Sequence, residues 1–249
     1  MAATHDHMIS LICVYNSPRV FQDMSRSLAG QTAVHELIEI DNTTNRFPSA
    51  ASALNYGATL AHGDILVFLH QDVLFRQSWG LQAIADELTS LQENAILGLY
   101  GAGGDIVYGE MPTIPLTAAE TLDECLIAMK QSTWQSFNFN EALCNGWHLY
   151  AVELCLRASA GGCGIYQMNG LPIEHLSMGE VNEQYMKTYR RLMNAYPDKK
   201  SIKTTCVSLP NNQFLFNVYH FIWRIKKMIL GNTPLRSNLR DVLHRVTGR

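Results

Sequence analysis

The sequence has no CxxC pair, no run of 18 consecutive apolar residues and few charged side chains for its length. Its six cysteines (Cys13, Cys125, Cys144, Cys155, Cys163 and Cys206) form no regular framework. Several sit inside apolar runs, as small buried hydrophobes do, which argues against both a disulfide scaffold and a thiolate metal site. The missing apolar run argues against a membrane-spanning helix. The start, MAATHDHMIS, has neither the basic region nor the apolar core of a secretory signal. These absences set a reducing, cytoplasmic location as the expectation. A composition 47% hydrophobic and only 16% charged excludes a disordered chain. No internal repeat is present, and 249 residues suit one α/β domain, alone or with a small appendage.

The charges are few and unevenly placed. Residues 210–249 hold seven basic side chains (Arg224, Lys226, Lys227, Arg236, Arg240, Arg245 and Arg249) against Asp241, a net +6. The other 209 residues carry 12 basic and 21 acidic side chains, a net −9. Nucleic-acid binding is not expected, because basic charge is not spread over a binding face. A basic tail does point to an anionic partner.

Apolar runs and turn residues then lay out the elements. Ile9–Tyr15 reads as a buried strand, and Ser17-Pro18 opens a helix with Ser17 as its N-cap. Glu36–Ile40 and Ile65–Leu69 read as strands, and Ser49–Ala61 and Trp79–Leu91 as helices. Ile96–Tyr100 is a strand, Gly101–Leu116 a loop, alone or with a short hairpin, Leu122–Met129 a strand and Trp134–Gly146 irregular. Leu149–Ala158 is a helix, and Ile165–Met168 is a strand whose edge Ile173-Glu174-His175 continues. Asn182–Ala195 and Phe214–Leu230 complete the helices. Strand and helix alternate through the first hundred residues, which predicts an α/β fold with a mainly parallel sheet between helices.

In such a sheet, ligands bind beyond the carboxyl ends of the strands. Three predicted strands end in polar groups: Tyr15-Asn16, Asp41-Asn42 and His70-Gln71-Asp72. If the strands are neighbours, these ends share one rim. Carboxylates beside an imidazole suit a divalent cation such as Mn²⁺ or Mg²⁺, which in turn suits a diphosphate. No Gly-rich loop with a basic residue follows the first strand, which disfavours a nucleotidyltransferase.

The run from Leu54 to Asp72, LNYGATLAHGDILVFLHQD, resembles the N-x-G-x-x-x-A-x-G-x-x-x-x-F-L-x-x-D signature of family 2 glycosyltransferases. Ile40-Asp41-Asn42-Thr43-Thr44 is similar to their V-D-D/N-x-S loop, and Ile12–Asn16 to their first strand and turn. Gly146-Trp147-His148-Leu149-Tyr150 and the helix that follows resemble the acceptor-side helix of that family. They look most like a bacterial branch linked to capsule and cell-surface polysaccharides, with HQD in place of DxD. The resemblance covers roughly residues 9–180. It implies a GT-A fold over residues 1–209, with residues 210–249 as a basic, amphipathic tail.

What the resemblance implies for the site follows residue by residue. The donor is a nucleotide sugar, UDP-linked, held by Val14, Tyr15, Asn16, Asp41, Asn55, His70, Gln71 and Asp72. Asp41 receives the nucleobase. Asp72 matches the last carboxylate of DxD and binds the cation, with His175 as a second ligand. His70 replaces the first carboxylate, which favours Mn²⁺ over Mg²⁺. Transfer to a glycan or lipid-linked acceptor is inverting and metal-dependent. The family's E-D pair, its source of the general base, is replaced by Tyr150-Ala151. His148 and Glu153 are the nearby candidates, although Glu153 also suits an ion pair with Arg157. Trp147 and Asp123 are acceptor-side candidates, with a core Trp and exposed edge acids as the plainer alternatives. The missing pair also fits a module that binds nucleotide or glycan without turnover.

The last predicted helix places Phe214, Val218, Phe221, Ile222, Ile225 and Ile229 on one stripe beside Trp223, Arg224, Lys226 and Lys227. That pattern suits either an interfacial helix at the inner face of a membrane or a helix docked on its own domain or on a second subunit of a homo-oligomer.

Overall fold

The computed structural model describes residues 7–91, 94–103, 115–177 and 179–230. The first strand, β1 (Ile9–Tyr15), ends where Asn16-Ser17-Pro18 turns the chain into α1 (Pro18–Leu28). Pro18 suits the first helical turn, where its missing N–H has no partner to lose. Ser17 occupies the N-cap position, but its side chain makes no capping bond. Next come β2 (His35–Asp41) and α2 (Ala50–Thr59), whose N-cap Ser49 accepts from the Ser52 N–H. The strand β3 (Ile65–His70) follows, then a short β4 (Val73–Phe75) and α3 (Gly80–Ser90).

The middle of the chain holds β5 (Ala95–Gly98), β6 (Gly101–Ala102), β7 (Leu116–Ala118), β8 (Thr121–Leu122) and β9 (Leu126–Lys130). After α4 (Gln131–Ser136) come α5 (Tyr150–Ala160), β10 (Gly164–Met168) and β11 (Ile173–His175). The chain then forms α6 (Glu183–Ala195), β12 (Ser201–Lys203), β13 (Ser208–Pro210) and α7 (Gln213–Leu230).

Seven strands form the central sheet in the order β2-β1-β3-β9-β5-β10-β7. The strands β2, β1, β3, β5 and β10 run one way, and β9 and β7 run against them. Alternate side chains of each strand feed opposite faces. Leu11 and Cys13 pack with Phe21 and Met24 of α1 and Leu81 and Ile84 of α3. Ile12, between them, packs with Ala53 and Leu54 of α2 and Leu154 of α5. The small residues of α2 let it lie close to the sheet. A Cβ at Gly57 would come within 2.4 Å of Ile12 Cγ2, a methyl that cannot swing aside. A third apolar cluster joins the outer side of α5 to α6 and α7, with Tyr189, Leu192, Phe216 and Trp223 at its centre.

The expected α/β architecture is present, with local differences that include the short strands β4, β6, β7, β12 and β13, none of them expected. The stretch expected as one strand over Leu122–Met129 is broken, because Asp123 Oδ1 accepts the Cys125 N–H at 3.0 Å and makes a turn between β8 and β9. Helix α4 begins before, and runs into, the stretch expected to be irregular. Ile173–His175 does not continue the β10 edge. Gly170 adopts φ 77° and turns the chain, and β11 pairs antiparallel with β4 instead. Most of the loop expected over Gly101–Leu116, residues 104–114, lies outside the described residues, as do residues 231–249 of the tail.

Candidate active site

The three polar strand ends meet because β1, β2 and β3 are parallel neighbours in register. Tyr15 lies opposite Asp41, and Val14 opposite His70. The chain passes from β1 to β2 on one side and returns to β3 on the other, so β1 and β3 flank a topological switch point, where α/β sheets bind ligands. A cavity of about 240 Å³ opens there. Val14, Tyr15, Asn16, His70, Gln71, Asp72 and Trp147 line it, together with Asn42, Tyr150 and Ser177.

Gln71 holds the turn after β1. Its Oε1 accepts from the N–H groups of Asn16 and Ser17 at 3.1 and 2.9 Å, and its Nε2 donates to Asn16 Oδ1 at 2.8 Å. Asp41, at the end of β2, is exposed and is not among the residues that line the cavity; it accepts from the Thr43 N–H at 2.8 Å. Hydrogen bonds from Thr43, and one from Tyr15, keep its carboxyl below its ordinary pKa.

Pairing of β4 with β11 brings His175 opposite Val73, directly beside Asp72. His175 Nε2 lies 3.3 Å from Asp72 Oδ1 and 3.4 Å from Ser177 Oγ. The rings of His70 and His175 stand 5.6 Å apart. One ligand atom from each of His70, Asp72 and His175 falls within 4.8 Å of the others. Burial works to raise the Asp72 pKa, but hydrogen bonds from His175 and Ser177 outweigh it and hold the carboxyl well below the usual range. Burial lowers the His70 pKa, with His175 adding to the effect against Asp123 and Asp72. An ionised carboxylate and a neutral imidazole are the forms that bind metal.

Tyr150 closes the inner wall. Its hydroxyl donates to the Glu124 carbonyl at 3.3 Å and lies 3.1 Å from His70 Nε2. Leu149, just before α5, takes the left-handed conformation with φ 66°. Its N–H and that of Tyr150 donate to the Glu124 carboxyl, which thereby caps α5 from another element. Glu124 Oε1 has no hydrogen-bond partner and is enclosed. Burial, with Asp123 adding to it, pushes the Glu124 pKa up to about 8 against those two bonds.

That shift has a consequence for stability. A carboxyl raised from 4.5 holds its proton longer in the folded chain than in the unfolded one. Its contribution is fully present below the unfolded value and is lost as pH rises through about 8. The melting temperature is therefore expected to decline across this window. Glu124→Gln, which cannot ionise, should decline less. Parallel profiles for the two proteins in differential scanning calorimetry would contradict the assignment.

Several sequence candidates lie elsewhere. Glu153 is fully buried away from the cavity, bonded to Arg157, Asn140 and Tyr196. Asn55 uses its whole amide to clamp the Phe139 backbone and the Glu141 carboxylate to α2. His148 is half-buried on the α6 side, where Asn182 Nδ2 lies 2.9 Å from its Nε2. The Asn182 carbonyl caps α6 at Tyr185, which fixes the amide so that its NH₂ faces His148. His148 Nε2 is then an acceptor already in use, and burial lowers the ring's pKa. Asp123 is tied to the Cys125 backbone and to Thr205 Oγ1 at 2.7 Å. Trp147, in contrast, lines the cavity and is 38% exposed. Sequence reasoning missed Tyr150, Ser177 and the role of Glu124. Only the substitution of Tyr150-Ala151 for the family's acidic pair marked that region as unusual.

No protein-family model matches the chain, and no curated protein matches its sequence. The fold does match solved structures. The structure of GalNAc-T7 with UDP, GalNAc and Mn²⁺ aligns with a TM-score of 0.56 at 11% identity, over 76% of this chain and 48% of that one. The structure of Staphylococcus aureus TarS aligns with a TM-score of 0.50 at 15% identity, over 76% of this chain and 39% of that one. The chain thus spans about half the length of the first of these, and less of the second. At this identity the likeness establishes the fold, a GT-A-type α/β sandwich.

Proposed function

We propose that the protein transfers a sugar from a nucleotide-sugar donor, UDP-linked, to a hydroxyl of a glycan or lipid-linked acceptor. Transfer proceeds with inversion and with a divalent cation, in the synthesis of cell-surface polysaccharide. The observation that carries this reading is the convergence of three strand ends on one cavity beside His70, Asp72 and His175. GalNAc-T7, with the same fold, was crystallised with UDP, GalNAc and Mn²⁺. Asp41 accepts the nucleobase N–H at the rim, and the Val14–Asn16 turn, braced by Gln71, lines the base pocket. His70, Asp72 and His175 hold the cation. Two imidazoles and one carboxylate suit Mn²⁺ better than Mg²⁺, which prefers oxygen ligands. The bound cation supplies charge stabilisation for the leaving diphosphate. Trp147 offers an exposed ring face to the acceptor sugar. His148 becomes a base only if its bond to Asn182 opens.

That occupied nitrogen, with Glu153 locked in an ion pair, favours a second reading in which the cavity binds nucleotide without turnover. A panel of UDP-, GDP-, CDP- and TDP-sugars with and without Mn²⁺ separates the two. The first reading expects a metal-dependent thermal shift with a UDP-sugar, and product in a single-turnover assay. A shift without product selects the second. No shift with any nucleotide defeats both.

A further inference from the structure

Helix α7 has two unlike faces. Phe216, Tyr219 and Trp223 are buried against α6 and its neighbours. On the opposite side Phe214, Val218, Phe221, Ile225 and Met228 remain exposed, Phe214, Phe221 and Met228 by 73, 64 and 80%. Their spacing alternates between four and three residues, which keeps all five in one line. At 1.5 Å per residue the line runs for roughly 20 Å. Large apolar side chains scattered singly on a surface need no explanation, but a continuous stripe of five marks an interaction site.

Charge decides among the occupants. The whole of α7 contains no Asp or Glu; Lys226 lies to one side of the stripe and Arg224, paired with Glu183, to the other. The acids that answer α7 lie on its docked side, where Glu183 binds His220 and Arg224, and Glu180 lies near Lys227. Residues 231–249 add four arginines and a single acid. A second copy of this helix would set basic residues against basic residues with no acid on either helix to answer Lys226, which is unfavourable across a helix–helix seam. An anionic lipid surface offers apolar depth for the stripe and negative charge for its flanks at once. Among the described residues no helix is long and apolar enough to cross a membrane, so the contact is an in-plane one.

We infer that the outer face of α7 docks on an anionic bilayer, with the stripe entering the headgroup boundary and the basic residues meeting the lipid charge. The inference does not depend on the sugar-transfer reading. The test is flotation of the full chain with vesicles of phosphatidylcholine, alone or mixed with phosphatidylglycerol. Each basic residue near an anionic leaflet contributes about fivefold, so anionic vesicles should recover at least ~10-fold more protein, and salt should reduce this. Phe221→Glu combined with Met228→Glu should abolish recovery while leaving the melting temperature unchanged, since both side chains are solvent-exposed. Equal recovery with and without anionic lipid, or unchanged recovery of the variant, overturns the inference. So does light scattering that shows a dimer lost in the variant, which assigns the stripe to a second copy. Amides of α7 protected equally with and without vesicles would assign it to residues 231–249.

Discussion

Replacing Asp72 with Ala is expected to remove Mn²⁺-dependent binding of UDP and its sugars, with affinity for the cation falling by more than ~100-fold. Loss of a residue that merely orients a metal ligand already costs 10–100-fold, so loss of the single carboxylate among the three donors should cost more. Two imidazole donors would remain. Asp72 also accepts from His175 and Ser177, so its removal frees both side chains to reorient. Isothermal titration with Mn²⁺ alone, and then with UDP in Mn²⁺, measures the two effects separately. His175→Ala should show the same pattern more weakly, because the carboxylate charge stays. Unchanged Mn²⁺ affinity in the Asp72 variant, with an unchanged melting temperature, would refute the metal site and with it the metal-dependent reading.

Glu153→Ala is expected to destabilise the fold by about 3 kcal/mol, the low end of the cost of breaking a buried ion pair. Glu153 is fully buried, and its carboxylate receives Arg157, Asn140 and the Tyr196 hydroxyl. Arg157 is 30% exposed and keeps a bond to the Asn138 carbonyl, which limits the loss. Urea denaturation gives the value directly. A variant as stable as the parent but inactive would instead restore Glu153 as the base. A destabilised variant that still binds nucleotide at low temperature would confirm a structural acid, which the four-residue spacing from Arg157 also permitted.

These two acids illustrate how far the sequence could be read. Asp72 follows the most strand-like run in the chain, and a strand end beside a polar turn places its own functional group. Glu153 lies in a helix with apolar residues on both sides, and spacing cannot say whether a helical acid faces a cavity or a core. Tyr150 and Glu124 were beyond reach for a related reason. Each is ordinary in its own segment, and they matter only because the turn after β8 carries a carboxyl under the start of α5. Asn55 belongs to a motif that suggested ligand binding, yet its amide is spent on the backbone of a loop 84 residues away.

Local chemistry sufficed for β1, β2, β3, their helices and the polar residues at the strand ends, because strand period, proline placement and turn residues act within a few positions of one another. It sufficed also for the amphipathic character of α7, which is a matter of angle around one helix. The His70–Asp72–His175 cluster, the capping of α5 by Glu124 and the choice of which α7 face lies buried came only with the folded chain. Each depends on pairing between distant segments: β4 with β11, the β8–β9 turn with α5, and α6 with α7. The free energy of such pairings comes from surfaces that no single segment contains.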